Sequence, residues 1–488
     1  MRRPTFVKFM LALLLLPVLA PALAQVPAHA PAHATDKTTR HTLTLPTGPL
    51  PFTATVETIK LANPKGEAQA EIVTTAFLHD PAPGEAPRPV TFAFNGGPGA
   101  ASAWLDVGAI GPWRVPIRFV PGQDAALVDN AETWLPFTDL VFVDPVGTGY
   151  SRAMVTGDAA RPFSTVDGDI DSLATVMRRW LEAHDRLLSP KFIVGESYGG
   201  FRAPRLARAL QDAQGVGVNG LVLVSPVLDF NGFQAPYNPL RWAAAIPALT
   251  AATRHATSRD QVQDAEEYAR TDYLTDLLRG TPDATARLVA RTAALTGLPP
   301  DVVQRHAGRI DTFTAVRERA PGTVASPYDA TIAVPDAFPE RTFGSAPDPV
   351  LDGLRAPITS AMLTVYRRLE WQPEGAPNRQ YELLSDGVNR AWDYGRSNVR
   401  PEALTALRQY LALDATARVL VEHGLYDLVT PYFANVLLTD QVPWLGAPGR
   451  LNLRAHAGGH MFYLDDASRA ALRDETAAMV KGALDARR

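Results

Sequence analysis

Six short apolar runs recur along the chain: "VTFAF" (90–94), "DLVFVD" (139–144), "FIVG" (192–195), "LVLVS" (221–225), "RVLVE" (418–422) and "LNLRA" (451–455). A strand with one wet face alternates apolar and polar residues. A continuous run fits a strand covered on both faces, as in a parallel sheet. Helical patterns lie between several of the runs. "DIDSLATVMRRWLEAHDRL" (169–187) sets Ile170, Leu173, Val176, Met177, Trp180 and Leu181 on one stripe at helical spacing. Strands alternating with helices predict an α/β fold, with a central mostly parallel sheet and helices on both faces. Ahead of the first run, "TATVETIKL" and "AEIVTTAFL" flank a turn-like "ANPKGEAQ", which reads as a hairpin over residues 53–78.

The alternation stops at about residue 230 and resumes near 405. The intervening segment is rich in Ala, Leu and Arg with scattered prolines, and reads as a mostly helical cap insertion over 231–404. The core then has two parts, 41–230 and 405–488. Residues 25–40, "QVPAHAPAHATDKTTR", read as a flexible lead; His29 and His33 lie in it with nothing to hold two rings in ligand geometry. Residues 1–24 read as a cleaved signal peptide. Arg2, Arg3 and Lys8 precede "FMLALLLLPVLA", and Ala22-Leu23-Ala24 supplies the cleavage pattern. The apolar run is too short for a bilayer span. The mature protein is therefore expected free of the membrane, secreted or periplasmic. With no cysteine it can form no disulfide, thiolate metal site or cysteine nucleophile. A net charge of −4 with interspersed signs carries no nucleic-acid signature.

The run at 192–195 leads straight into Gly195-Glu196-Ser197-Tyr198-Gly199, and a helical pattern follows. G-x-S-x-G between a strand and a helix is a nucleophile elbow. The turn is so tight that side chains at 195 and 199 would clash. It lifts the Ser197 hydroxyl above the sheet edge and aims the helix N-terminus at a developing oxyanion. A serine needs a base, and the chain order for this fold is Ser, then Asp or Glu, then His. Asp427 follows one strand in a loop bounded by Gly and Pro, and His460 follows another behind two glycines. His456 competes with His460 but lies nearer the strand body, where a packed or hydrogen-bonded role fits. Asp414 and Asp440 read as surface or capping residues. Two N–H donors are needed for an oxyanion. Tyr198 supplies one, and Gly97, in the loop "FAFNGGPGAAS" (92–102), is the candidate for the other.

Together these segments resemble the serine carboxypeptidase family of the α/β-hydrolase superfamily. "NGGPGAAS" is similar to its Asn-Gly-Gly-Pro-Gly-Cys-Ser-Ser loop, with alanine for the cysteine. "DLVFVDPVGTGYS" resembles its Asp-Gln-Pro-Val-Gly-x-Gly-Phe-Ser segment without the Gln, "GESYGG" its nucleophile segment, and "GGHMFY" its Gly-His-Met stretch. The likeness runs in order from about residue 53 to 475. It implies an α/β-hydrolase fold, a Ser197–His460–Asp427 triad, no metal or organic cofactor, and a peptide substrate with a free C-terminus. It also implies that Asn95 and Glu196 hydrogen-bond the substrate carboxylate. That requires a protonated Glu196, and so binding favoured at acid pH. The family's usual Trp two residues before the Asn is Ala93 here, and the place of a second Glu before Gly111-Pro112 holds Ala109. The lack of disulfides fits a bacterial branch. The alternative expectation is an esterase or acyltransferase on the same scaffold.

Overall fold

The computed structural model describes residues 36–79, 87–117, 126–234, 237–340, 347–373, 379–395, 401–443 and 449–487. The anticipated signal peptide and most of the anticipated lead lie outside these residues. The end of the lead does not: β1 (Lys37–Leu45) begins inside it. "KTTRHTLTL" alternates, with Leu43 and Leu45 buried, so Lys37 to Arg40 form the outer part of an edge strand rather than flexible chain.

Ten strands make one sheet. After β1 come β2 (Gly48–Ala62) and β3 (Ala68–His79), which form the expected hairpin. Its turn is held by Asn63, whose side-chain oxygen accepts from the N–H groups of Lys65 and Glu67. All six apolar runs, the one before the elbow serine included, supply strands β4 (Val90–Phe94), β5 (Asp139–Val143), β7 (Lys191–Glu196), β8 (Gly220–Val224), β9 (Arg418–Gly424) and β10 (Leu451–His456). A two-residue strand, β6 (Arg152–Ala153), pairs with β3. The order is β1-β2-β3-β5-β4-β7-β8-β9-β10. Strands β1, β2, β3 and β5 pair antiparallel in turn, and every neighbouring pair from β5 through β10 is parallel.

The reason anticipated for the continuous apolar runs holds for the central strands, whereas β10, at the sheet edge, is nowhere fully buried. Phe92 and Phe94 of β4 enter the core on one face, while Ala93 enters the core on the other. Leu221 and Leu223 of β8 likewise separate from Val222 and Val224. Helix α1 (Val166–Ala183) covers one face, capped by Thr165, whose hydroxyl accepts from Gly168 N–H. All six residues of its predicted stripe are buried, and Trp180 meets Phe92 edge to face at 5.5 Å. Helix α2 (Tyr198–Gln214) packs beside it.

Residues 231–404 divide between two environments. Helix α3 (Pro239–Arg254) and the helices from Gln263 to Glu318 build a separate apolar cluster that docks on Tyr426, Leu428, Tyr432 and Phe433. Helix α4 (Leu351–Arg368), assigned to the insertion by composition, instead packs Leu354, Ile358, Met362 and Val365 into the core on one face of the sheet. Its apolar stripe is interrupted by Pro357, so the sequence pattern gave no sign of which partner it takes. A short α5 (Asp386–Ala391) and α6 (Leu404–Leu413) follow, and α7 (Asp466–Asp485) closes the chain.

Candidate active site

Parallel strands all leave the sheet in one direction, so the loops after them share one edge. Asn95 follows β4, Ser197 follows β7, Asp427 lies three residues after β9, and His460 lies four after β10. Four segments far apart in sequence are thereby brought together.

Ser197 sits at φ 60°, ψ −119°, a conformation that costs a non-glycine residue energy and persists only under surrounding constraint. The constraint is visible. A Cβ on Gly195 would lie 2.0 Å from the Gly199 carbonyl oxygen, and one on Gly199 would lie 2.3 Å from that of Phe94. Gly200 is equally obligatory, since its Cβ would meet Pro226 at 2.4 Å; the sequence reading passed over it. The loop after β4 lies directly on the elbow. A Cβ on Gly96 would come within 2.5 Å of Tyr198 N and 2.8 Å of Ser197 Cβ. Gly97 holds φ 98° there, and Tyr198 N–H opens α2 with no carbonyl before it to accept.

His460 Nδ1 lies 2.7 Å from Asp427 Oδ2. Asp427 is fully buried, and its other oxygen accepts from the N–H groups of Val429 and Thr430 at 2.8 and 3.0 Å. Thr430 Oγ1 adds a 2.7 Å bond to Oδ2. Burial pushes the Asp427 carboxyl up, but His460 and these donors outweigh it and hold the group below the usual carboxylate range. Burial disfavours the charged imidazole too, yet Asp427 and Glu196 hold His460 above its ordinary value. The backbone of His460 is pinned as well: its N–H donates to Tyr328 O at 2.6 Å and its carbonyl accepts from Ser225 Oγ at 2.8 Å. His456 bonds Glu422 at 2.5 Å and stacks on Phe462, the packed role expected of it. Asp414 accepts from Thr416 and Arg487, and Asp440 pairs with Arg270, both away from His460.

Glu196 is buried at 3% exposure. Its Oε2 accepts from Asn95 Nδ2 at 2.6 Å and from Tyr463 Oη at 2.8 Å, while Oε1 has no hydrogen-bond partner among the described residues. Burial pushes Glu196 up to about 7, although the charge of His460 and both hydrogen bonds favour ionisation. Tyr463 ends the segment "GGHMFY", whose pattern carries no sign of this contact. Arg202 was missed altogether. It is fully buried, pairs with Asp169 at 2.6 Å and donates to the Asn95 carbonyl at 2.6 Å. Asp144, in the segment after β5, accepts from Ser102 N–H at 2.8 Å, and Ser102 Oγ in turn accepts from Asn95 N–H at 3.4 Å. Ala93 is buried on β4 and Ala109 in the turn at Asp106–Ile110. The residue beside Asn95 that reaches Glu196 is Tyr463. The 379–395 segment covers the Gly-Pro loop, with Ser385 N–H donating to Gly99 O at 2.7 Å and Asn389 Nδ2 to Pro98 O at 3.1 Å.

A mostly parallel sheet with a strained serine turn between a central strand and its following helix defines an α/β-hydrolase. Within that class, residues 80–276 match the family model Peptidase S10, described as serine carboxypeptidase. The pheromone-processing carboxypeptidase KEX1 of Yarrowia lipolytica is 33% identical over 156 residues, 31% of this chain and 23% of the relative. Serine carboxypeptidase-like 9 of Arabidopsis thaliana is 26% identical over 201 residues, 39% of this chain and 44% of the relative. The matched region thus spans less than half the length of either relative. Over the whole fold, the crystal structure of Kex1(delta)p, a prohormone-processing carboxypeptidase from Saccharomyces cerevisiae, superposes with a TM-score of 0.57 at 14% identity. That likeness covers 87% of this chain and 90% of the other.

Proposed function

We propose that the protein is a secreted serine carboxypeptidase that removes C-terminal residues from peptides and whose substrate binding is favoured at acid pH. One observation carries the reading: a buried glutamic acid directly before the elbow serine, with one carboxyl oxygen saturated by Asn95 and Tyr463 and the other unpartnered. With burial pushing it up to about 7, Glu196 keeps its proton in acid and donates from Oε1 to a substrate carboxylate. Ser197 Oγ attacks the last peptide carbonyl carbon as His460 Nε2 takes the hydroxyl proton. Asp427 keeps Nδ1 protonated and stabilises the imidazolium. The N–H groups of Gly97 and Tyr198 hold the oxyanion. The C–N bond breaks as His460 returns the proton to the leaving amine. Water, deprotonated by the same imidazole, then releases the acyl group and regenerates Ser197.

Ala93 and Ala109 favour a second reading, an esterase or acyltransferase on the same elbow, because side chains that the family uses near the carboxylate site are lacking. The deciding assay follows an N-blocked dipeptide, with free or amidated C-terminus, from about pH 4 to 8. Release from the free acid alone, fading as Glu196 ionises, supports the carboxypeptidase. Equal cleavage of both, or ester cleavage only, rejects it for the second reading. Secretion is proposed from the first 24 residues, and the N-terminus of exported protein is expected to be Gln25.

A further inference from the structure

Behind the His460 loop, three side chains from three elements converge: Glu422 of β9, His456 of β10 and Glu475 of α7. One nitrogen or oxygen from each lies within 4.8 Å of the others. Register explains the first two. Glu422 pairs with Arg454 and Gly424 with His456, so Glu422 and His456 are two positions apart across the ladder and share a face. Helix α7 covers that face and brings Glu475 to it.

Glu422 is fully buried, and its Oε1 meets no N–H or hydroxyl donor among the described residues. Glu475 Oε2 is a second buried carboxylate oxygen with no N–H or hydroxyl donor among the described residues; Arg454 Nε lies 3.7 Å away on a side chain more than half exposed. Two such oxygens beside an imidazole are costly without a cation or a shared proton between them.

We propose that Glu422, His456 and Glu475 form a binding site for a divalent first-row transition ion, with zinc the best fit. One imidazole with two carboxylates is a nitrogen–oxygen donor set that zinc accepts, leaving a fourth position for water. The two carboxylates neutralise the ion. Calcium, which takes six or more oxygens, is a poor match. His456 Nε2 and Glu422 Oε2 now lie 2.5 Å apart, so seating an ion between them opens the pair by less than about 1 Å. Glu475, a third exposed, gives the entry path. The ion does not enter the proposed reaction. It ties together β9 and β10, the strands whose following loops carry Asp427 and His460.

The test is calorimetric titration of the full mature chain, after stripping with a chelator, with zinc chloride and separately with calcium chloride. One zinc per chain at micromolar affinity or tighter, a raised melting temperature and no calcium heat are expected. Glu422→Gln and Glu475→Gln should each weaken zinc binding by more than the roughly 10- to 100-fold typical of losing a supporting group around a metal. Glu475 is partly exposed, so its variant keeps the test usable if Glu422→Gln does not fold. No zinc binding, or equal binding by the wild type and Glu475→Gln, overturns the proposal; the first leaves a shared proton in the cluster and the second places the ion elsewhere, at His29 and His33 for instance.

Discussion

Tyr463 and Asn95 donate to the same oxygen of Glu196, at 2.8 and 2.6 Å, and leave the other oxygen unclaimed. Two donors on one side orient the carboxyl and favour its ionised form, while burial opposes ionisation and wins. The acid is held in place with its proton available on the open side.

Glu196→Gln tests the consequence for binding. Above about 7 the ionised Glu196 repels a substrate carboxylate, so KM for a free-acid peptide should climb as pH rises through that value. The amide stays neutral, and its KM should not climb. Below about 7 Glu196 is neutral in the wild type as well, so the acid limb of kcat/KM should stay in place in the variant. Initial rates from pH 4 to 9 with both enzymes check both limbs; an unchanged alkaline rise in KM removes Glu196 from the carboxylate site.

Tyr463→Phe should shift the same profile the other way. The lost hydrogen bond favoured the ionised form, so Glu196 should hold its proton to higher pH and the rise in KM should start later. The stability cost should be about 1 kcal/mol, that of one hydrogen bond, measured by urea unfolding.

Ser197→Ala should lower turnover by at least about 10,000-fold while leaving the fold intact, because the remaining groups still bind but cannot form the acyl-enzyme. Turnover of purified protein and labelling by a fluorophosphonate report this directly. Full activity in the variant would assign the chemistry to another residue.

Stability should fall as pH rises from about 5 to 9. Burial raises Glu196 and Asp144 to about 7. Each binds its proton more tightly folded than unfolded, so its stabilisation is complete below the unfolded value near 4 and is lost as pH passes through the folded one. Asp427 has the opposite sign. Its folded value is depressed, so its contribution is present above about 4 and is lost only in strong acid. Melting temperatures across the range should decline toward alkaline pH, and Asp144→Asn should flatten the decline. A flat wild-type profile would contradict these buried acids.

Backbone sterics and burial periodicity are local, and these were legible in the sequence. The runs at 90–94 and 221–225 are continuous because their alternate residues enter different cores. The elbow glycines follow from the turn itself, and Ser197, Asp427 and His460 come to one sheet edge because they follow parallel strands. The outer part of β1 was misread because Pro and Ala before it masked a short alternating strand. The location of α4 and the roles of Tyr463 and Arg202 belong to tertiary structure alone. Tyr463 is 267 residues from Glu196, and Arg202 is 107 from Asn95. No spacing rule links such pairs. They meet because a buried polar group must find a partner among whatever the folded elements bring within reach, and only the assembled sheet decides what that is.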